Sequence, residues 1–170
     1  MKKVFLLILL LCLCSSVFAV GLGASVDLGF IQDLLLSHKS LQAGVGLRLY
    51  TDGDFQLRLP INLSIKGKKV GIEGALCAVY YPFTKGFYVS LSMIDLGFIA
   101  DMSRKSSSML ILNEIEAGWT FEINEKFFAE AGICMRDPSG TFSSEYEKIR
   151  GVFDSYTRFR VRIAGGYRFF

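Results

Sequence analysis

The end of the chain, residues 156–170, reads YTRFRVRIAGGYRFF and alternates apolar with charged side chains. Because successive side chains of a β-strand point to opposite faces, this pattern predicts a strand with one apolar face and one arginine-rich face. A β-barrel in a lipid bilayer needs such strands, since its outer wall is apolar, its lumen is polar and its closure leaves no free edge. The apolar set is Phe159, Val161, Ile163, Tyr167 and Phe169, and the charged set is Arg158, Arg160, Arg162 and Arg168.

The start of the chain has the pattern of a secretory signal peptide. A basic start, Met1–Lys3, precedes an apolar run over 4–13 and small residues that end at Ala19. This predicts a signal peptide over 1–19 and a mature chain over 20–170. A retained helical anchor is the first alternative, although the run is shorter than the ~20 apolar residues that span a bilayer. A lipoprotein signal with an acylated Cys12 or Cys14 is the second, and the bulky leucines before both cysteines count against it.

Composition favours strands over membrane helices in the remainder of the chain. Hydrophobic residues make up 51% of the sequence, yet none of them form a helix-length apolar block after the leader. The apolar content comes in alternation, which suits about eight strands of ~10 residues each. The predicted fold class is all-β: an eight-stranded antiparallel up-and-down transmembrane β-barrel. A net charge of +3 gives no indication of a nucleic-acid partner.

Alternation divides the chain into strands joined by polar segments. Between Asp95 and Ala100 the pattern degrades, and Asn113 falls on the lipid side of the sixth strand without an evident reason. Long loops are expected over 32–40 and 137–155. The predicted strands cover about 20–30, 41–50, 55–65, 70–82, 87–100, 109–121, 127–136 and 156–169.

The two ends of the predicted barrel differ in loop length and in aromatic content. Short turns over 51–54, 84–86 and 122–126 lie at the end that also holds the C-terminus, and aromatic residues crowd there. Aromatic rings favour the membrane–water boundary, and short turns are typical of the periplasmic side. The predicted location is therefore the outer membrane of a diderm bacterium, with both termini in the periplasm.

The alternation of odd- and even-numbered residues between the two faces of each strand, which we call strand parity, places many charged side chains inside the barrel. Eight strands enclose an interior just wide enough for side chains, so we expect these charges to pair. The first interpretation is a packed ion-pair core, and the alternative is a charged channel for solutes, favoured by the space that glycines leave on the first two strands. The inward set is Asp27, Arg48, Arg58, Glu73, Glu114, Glu116, Glu130, Arg136, Arg158, Arg160, Arg162 and Arg168.

Catalytic and metal-binding patterns are weak. His38 and Ser40 form a His-x-Ser element similar to that of outer-membrane lipid A deacylases, with Asp33 nearby, but the surrounding sequence does not match that family. A loop histidine in solvent is the favoured interpretation, so we predict no enzyme activity and no catalytic residues. Cys77 and Cys134 are expected to be free buried thiols, and we predict no metal site and no cofactor.

The last strand also carries a family resemblance. The segment 162–169, RIAGGYRF, resembles the closing strand of the small OmpX/OmpA-type barrels, whose terminal aromatic segment is read by the barrel-assembly machinery. The resemblance implies surface roles such as adhesion, host interaction or envelope stability, whereas OmpW-like relatives imply passage of small hydrophobic molecules. The residues that carry the implied assembly signal are Phe159, Val161, Ile163, Tyr167, Phe169 and Phe170.

Two functions therefore remain open. In the first, the barrel is a surface-exposed scaffold whose external loops bind a host or surface ligand. In the second, the lumen is a narrow channel for small or hydrophobic solutes. Outer-membrane lipid and the assembly machinery are the expected partners in both, and no nucleic acid is expected.

Overall fold

The computed structural model describes residues 19–51, 53–83, 86–103 and 106–170. The signal-peptide prediction falls on residues that lie outside this part of the chain, except for Ala19, which begins the first strand. Neither helix within the described ranges is long and apolar enough to cross a membrane.

The described residues form nine strands and two short helices. The helices are α1 (Gly29–Leu35) and α2 (Ser143–Val152). The strands are β1 (Ala19–Asp27), β2 (Leu41–Thr51), β3 (Phe55–Lys66), β4 (Lys69–Tyr80), β5 (Phe87–Asp101), β6 (Ser106–Ile111), β7 (Glu114–Glu122), β8 (Phe127–Arg136) and β9 (Phe159–Arg168).

The strands close into a barrel. Every neighbouring pair is antiparallel, and β1 pairs with β9 as well as with β2, so the first and last strands close the wall. Strand β5 pairs along its second half with β6 and along its first half with β7. These two segments therefore occupy one position in the wall, and the barrel has the eight positions predicted from the sequence.

Alternation places apolar side chains on the outer wall. Along β2, odd-numbered residues are exposed and even-numbered residues are buried: Val45 is 57% exposed, whereas Arg48 is 1% exposed. Leucine, isoleucine, valine and phenylalanine side chains are exposed in the same way around the rest of the wall. In water this much contiguous apolar surface would favour aggregation, so the outer wall suits an apolar environment.

Strand β5 contains a β-bulge that accounts for the degraded alternation. Cys77 pairs with Ser92, but the preceding Leu76 pairs with Ile94, which leaves Met93 as an extra residue. Met93 and Ile94 are both exposed, and the inward positions change from even-numbered to odd-numbered residues after them. Asp95 is therefore an inward carboxylate, 3% exposed, that the parity of the preceding residues did not predict.

The predicted sixth strand is interrupted, and this explains Asn113. Residues 112 and 113 separate β6 from β7. There the backbone of Asn113 bonds to the Tyr146 hydroxyl and to the amide of Asp137, and its side-chain amide donates to Ser139 Oγ at 3.1 Å. Asn113 therefore forms hydrogen bonds with the segment between β8 and β9 and is not a lipid-facing strand residue.

Both predicted loops overlap helices, and the first strand ends at Asp27, earlier than the predicted residue 30. Helix α1 follows β1 directly, and α2 lies within the connection between β8 and β9. We refer to the end of the barrel that carries both helices as the helix end and to the opposite end as the turn end. The turn end holds the connections from β2 to β3, from β4 to β5 and from β7 to β8, together with Ala19 and Phe170.

Aromatic rings gather at the turn end, as expected. Phe55 stacks on Tyr80 with a centroid distance of 4.7 Å, and Phe127 meets Tyr167 edge to face at 5.0 Å on the outer wall. Three aromatic side chains of this end instead point inward and are buried. These are Tyr81, Tyr88 and Phe128.

Candidate functional site: a filled lumen under a helical cap

Seven charged side chains fill the middle of the lumen, and we call them the central cluster. They come from β1, β2, β3, β7, β8 and β9, and each is less than a tenth exposed. The barrel brings together residues that are far apart in sequence, because every inward position faces the same narrow space. The cluster is Asp27, Arg48, Arg58, Glu116, Glu130, Arg160 and Arg162.

Glu130 is the hub of the central cluster. Its carboxylate accepts a two-pronged contact from Arg48, and it also lies 3.3 Å from Arg58 and 2.8 Å from Arg162. Thr120 Oγ1 donates a further hydrogen bond at 3.0 Å. Three guanidinium groups around one buried carboxylate compensate the large cost of removing that charge from water.

Two further carboxylates complete the central cluster. Glu116 lies 3.2 Å from both Arg58 and Arg162 and accepts a hydrogen bond from the Tyr88 hydroxyl. Asp27 contacts Arg160 at 3.1 Å and also accepts the amide of Gly29 at 2.8 Å, which ties the start of α1 to the lumen. Since Arg162 also approaches Asp27 at 3.4 Å, the ion pairs form one connected network.

Aromatic rings support the arginines from the side of the wall. The Arg48 guanidinium lies 4.4 Å from the centre of the Phe128 ring, and that of Arg58 lies 5.1 Å from the Tyr88 ring. Such cation–π contacts are favourable when the cation is desolvated. The buried rings therefore fill space and contribute to holding the cations.

A second cluster lies nearer the helix end. Arg136 is 1% exposed, stacks 3.6 Å from the Tyr156 ring and lies 3.6 Å from a Glu114 oxygen. The Tyr156 hydroxyl donates to Glu73 at 2.6 Å. Asp95, the residue displaced inward by the bulge, is close enough to Glu73 and Glu114 to interact electrostatically. The central cluster contains more arginines than carboxylates, four against three. The second cluster contains fewer, with one arginine and three carboxylates.

Helix α2 caps the helix end of the barrel. Ile149 and Phe153 are buried against Leu110 and Leu112, which face inward from β6 and the break that follows it. Gly71 makes room for the cap, because a Cβ atom there would lie 2.9 Å from the Phe153 ring. The apolar cluster therefore covers the mouth above the charged lumen.

Asp154 fastens the end of the cap to the first strands. Its carboxylate accepts the backbone amide of Lys39 at 2.9 Å and the Ser40 hydroxyl at 2.8 Å, and Lys66 Nζ lies 3.2 Å away. These contacts, led by the Lys39 amide, lower the pKa of Asp154 below its ordinary value. The carboxylate therefore stabilises the docked cap above pH ~4 and loses this effect as the pH falls further.

Replacing Asp154 with asparagine should loosen the cap. In the unchanged protein, amide hydrogen exchange of α2 and of Lys39 should accelerate as the pH falls below ~4, after correction for intrinsic exchange rates. In the Asp154→Asn variant, exchange should already be faster at neutral pH and should vary less with pH. Glu147→Gln removes a carboxylate from α2 that has no hydrogen bond or ion pair among the described residues. If both variants exchanged alike, Asp154 would not be the fastening residue.

Little free volume remains in the lumen. A cavity between the central cluster and the two buried cysteines has a volume of about 20 Å³, enough for a single water molecule. The space expected beside the glycines is taken up: Tyr50 packs against Gly23, Arg160 against Gly29, and Asn62 against Gly44. Cys77 on β4 and Cys134 on β8 are free thiols that line this cavity.

Two arginines of the predicted lumen set do not join either cluster. Arg158 precedes β9 and is exposed, because pairing of β8 with β9 stops at Met135 and Phe159 and the chain leaves the wall there. Its assignment to the lumen was wrong. Arg168 points toward the mouth at the turn end, where it pairs with Glu122 at 3.1 Å and lies 5.3 Å from the Tyr50 ring.

The His-x-Ser element does not form a catalytic arrangement among the described contacts. His38 Nδ1 lies 3.2 Å from Asp33, which also accepts the amide of Gln42 at 2.6 Å. The Ser40 hydroxyl instead donates to Asp154 at 2.8 Å and lies 2.7 Å from the Ser155 hydroxyl. A serine nucleophile needs its base within hydrogen-bond reach, and the described hydrogen bonds of the Ser40 hydroxyl go to Asp154 and Ser155 and not to His38.

These features define a class: an eight-stranded antiparallel β-barrel with an apolar outer wall and a charged, filled lumen. The crystal structure of the N-terminal β-barrel domain of Pseudomonas aeruginosa OprF has a similar fold, with a TM-score of 0.59 and 17% sequence identity. The alignment covers 89% of this chain and 99% of the OprF domain. No protein-family model matches the chain, and the search of curated proteins found no match.

Proposed function

We propose that the chain is an integral outer-membrane protein that spans the bilayer as a closed, non-conducting barrel and acts as a surface scaffold. The filled lumen is the observation that carries this proposal. Among the described residues, five buried arginines, five buried carboxylates and the partly buried Glu114 occupy the space through which a solute would pass, and α2 covers one mouth. A conducting path would require several buried ion pairs to separate, which is costly in a narrow lumen.

The outer wall and the fold support the membrane location. The exposed apolar band and the aromatic rings at the turn end suit lipid and its interface. The likeness to the OprF barrel domain is one of fold. Short connections favour a periplasmic turn end, which would place α1 and α2 at the cell surface.

The resemblance of the last strand bears on assembly and on surface roles. Its outward side chains, among them Phe159, Ile163 and Phe169, are exposed on the outer wall, where the barrel-assembly machinery could read them during insertion. Adhesion, host interaction and envelope stability are the roles that the OmpX/OmpA-type resemblance favours. All three would use the surface formed by α1, α2 and the hairpin tips at the helix end.

Planar-bilayer recording of the purified chain tests the proposal. We expect no discrete channel events across a voltage range that leaves the membrane intact. A variant in which residues 138–155 are replaced by a short glycine–serine loop separates the effect of the α2 cap from that of the charged lumen. It should also be silent, because the central cluster remains in place. Regular single-channel steps from the unchanged protein would contradict the scaffold function and support the alternative of a narrow solute channel.

A further inference from the structure

A groove at the helix end is lined by three arginines and has no assigned role. It lies between α2 and the start of β9, has a volume of about 200 Å³, and contains Arg136, Arg150 and Arg158; we call it the arginine groove. Arg150 and Arg158 are exposed, and neither has a hydrogen bond or ion pair from its side chain to any described residue. Arg136 forms the buried floor, where its guanidinium donates to the Thr157 carbonyl at 3.3 Å and to the Gln42 side chain at 3.5 Å, and lies 3.6 Å from a Glu114 oxygen.

The acidic residues that line the groove form no ion pair with Arg150 or Arg158. Asp137 is committed to the start of α2, where it accepts the amide of Phe142 at 3.1 Å and the Ser143 hydroxyl at 2.8 Å. Glu147 is exposed on α2 and lies beyond ion-pair distance of both free arginines. The hydroxyls of Tyr146 and Tyr156 are also used, by Asn113 and Glu73. The unused donors of the groove are therefore the guanidinium groups of Arg150 and Arg158.

We propose that the arginine groove binds a phosphate group. Guanidinium groups are planar, remain charged and match the oxygens of a phosphate in two-pronged contacts. The volume is below the ~300–1,000 Å³ of pockets that hold drug-sized molecules, so the groove suits one small anionic group. That group can belong to a soluble phosphorylated compound or to the phosphorylated headgroup of a lipid, and the same contacts recognise both.

Titration with inorganic phosphate tests this proposal directly. The ¹⁵N-labelled full chain in detergent micelles is titrated at constant ionic strength against sodium chloride, and the arginine Nε–Hε resonances are followed. The resonances of Arg150 and Arg158 should shift and saturate with phosphate but not with chloride. Arg158→Gln and Arg150→Gln should each weaken binding about tenfold or more, since each removes charge-assisted hydrogen bonds.

Lys148→Gln is the matched control. Lys148 lies on the same helix but lines a different groove, beside Lys69 and Ser106–Ser108, so its loss should leave phosphate affinity unchanged. Shifts that do not saturate, that chloride reproduces, or that Lys148→Gln weakens as much as Arg158→Gln would overturn the proposal.

A second arm identifies the source of the phosphate. Affinity is compared in phosphatidylcholine nanodiscs with and without added lipid A. Apparent weakening of phosphate binding by lipid A assigns the groove to a lipid headgroup, and unchanged affinity assigns it to a soluble anion. Neither result depends on conductance, so a conducting barrel would contradict the scaffold function and leave the phosphate site standing.

Discussion

Replacing Glu130 with glutamine should lower the free energy of unfolding by about 3–5 kcal/mol, the cost typical of breaking a buried ion pair from one side. Glu130 is completely covered by Arg48, Arg58, Arg162 and Thr120. A neutral amide would leave Arg48 without an ion-pair partner among the described residues, while Arg58 and Arg162 would keep only Glu116 and Asp27. Urea titration of the protein refolded into lipid vesicles, followed by tryptophan fluorescence, measures the change.

Glu122→Gln is the control for this prediction. Glu122 also pairs with an arginine, Arg168, but its side chain is 43% exposed at the turn end. Because water screens exposed pairs, its loss should cost no more than about 1 kcal/mol. Equal effects of the two substitutions would show that the central cluster does not hold the barrel together.

Replacing Gly166 with alanine should destabilise the barrel by about 3 kcal/mol, at the upper end of overpacking costs. A Cβ atom at Gly166 would lie 2.0 Å from Phe128 Cζ. The Phe128 ring cannot move aside easily, because it is 1% exposed and the Arg48 guanidinium covers it. Combining Gly166→Ala with Phe128→Leu should therefore cost less than the sum of the two single changes, as unfolding in urea would show.

The neighbouring Gly165 provides a matched control in the same strand. No atom lies within 4 Å of a Cβ built at Gly165, which faces outward. Gly165→Ala should leave the free energy of unfolding almost unchanged. A similar loss for both alanine variants would mean that strand flexibility, and not the contact with Phe128, requires these glycines.

The architecture of this barrel was predictable because alternation is a local property. Whether a residue such as Val45 or Arg48 faces outward or inward follows from its position in its own strand, and the neighbouring antiparallel strands show the same alternation. Eleven of the twelve charges proposed to face inward lie within strands of the wall, and one of these, Arg168, lies at the mouth. The prediction from alternation was wrong for Arg158, which precedes the first paired residue of β9. It also missed Asp95, which faces inward because the bulge adds one residue to β5.

Helix α2 was harder to predict because the composition of the segment that contains it is typical of a loop. Residues 137–155 are rich in serine and charge, which favoured a loop. A helical signal was nevertheless present, since Tyr146, Ile149, Phe153 and Tyr156 recur at intervals of three and four residues. What sequence could not provide was the partner surface, because Leu110 and Leu112 reach the cap only after the strands have closed.

The arginine groove shows a different limit. Arg136, Arg150 and Arg158 belong to a strand, a helix and a connecting segment, and no spacing rule relates them. Parity assigned both Arg136 and Arg158 to the lumen; the structure keeps Arg136 there, where it also forms the floor of the groove, and places Arg158 at the rim of the groove. Only the turn of the chain after β8, where Asp137 adopts a positive φ of 50°, brings them together with α2.

The most direct test of the account uses the sole tryptophan of the chain, Trp119, which is 47% exposed on the outer wall at the turn end and lies 6.5 Å from the Phe87 ring. Its fluorescence is measured in vesicles of lipids brominated at different acyl-chain depths. If the apolar face contacts lipid and the aromatic rings mark the interface, bromines near the headgroups should quench Trp119 strongly and bromines at the bilayer centre weakly. Fluorescence that no brominated lipid quenches would contradict the assignment of the outer wall to the membrane.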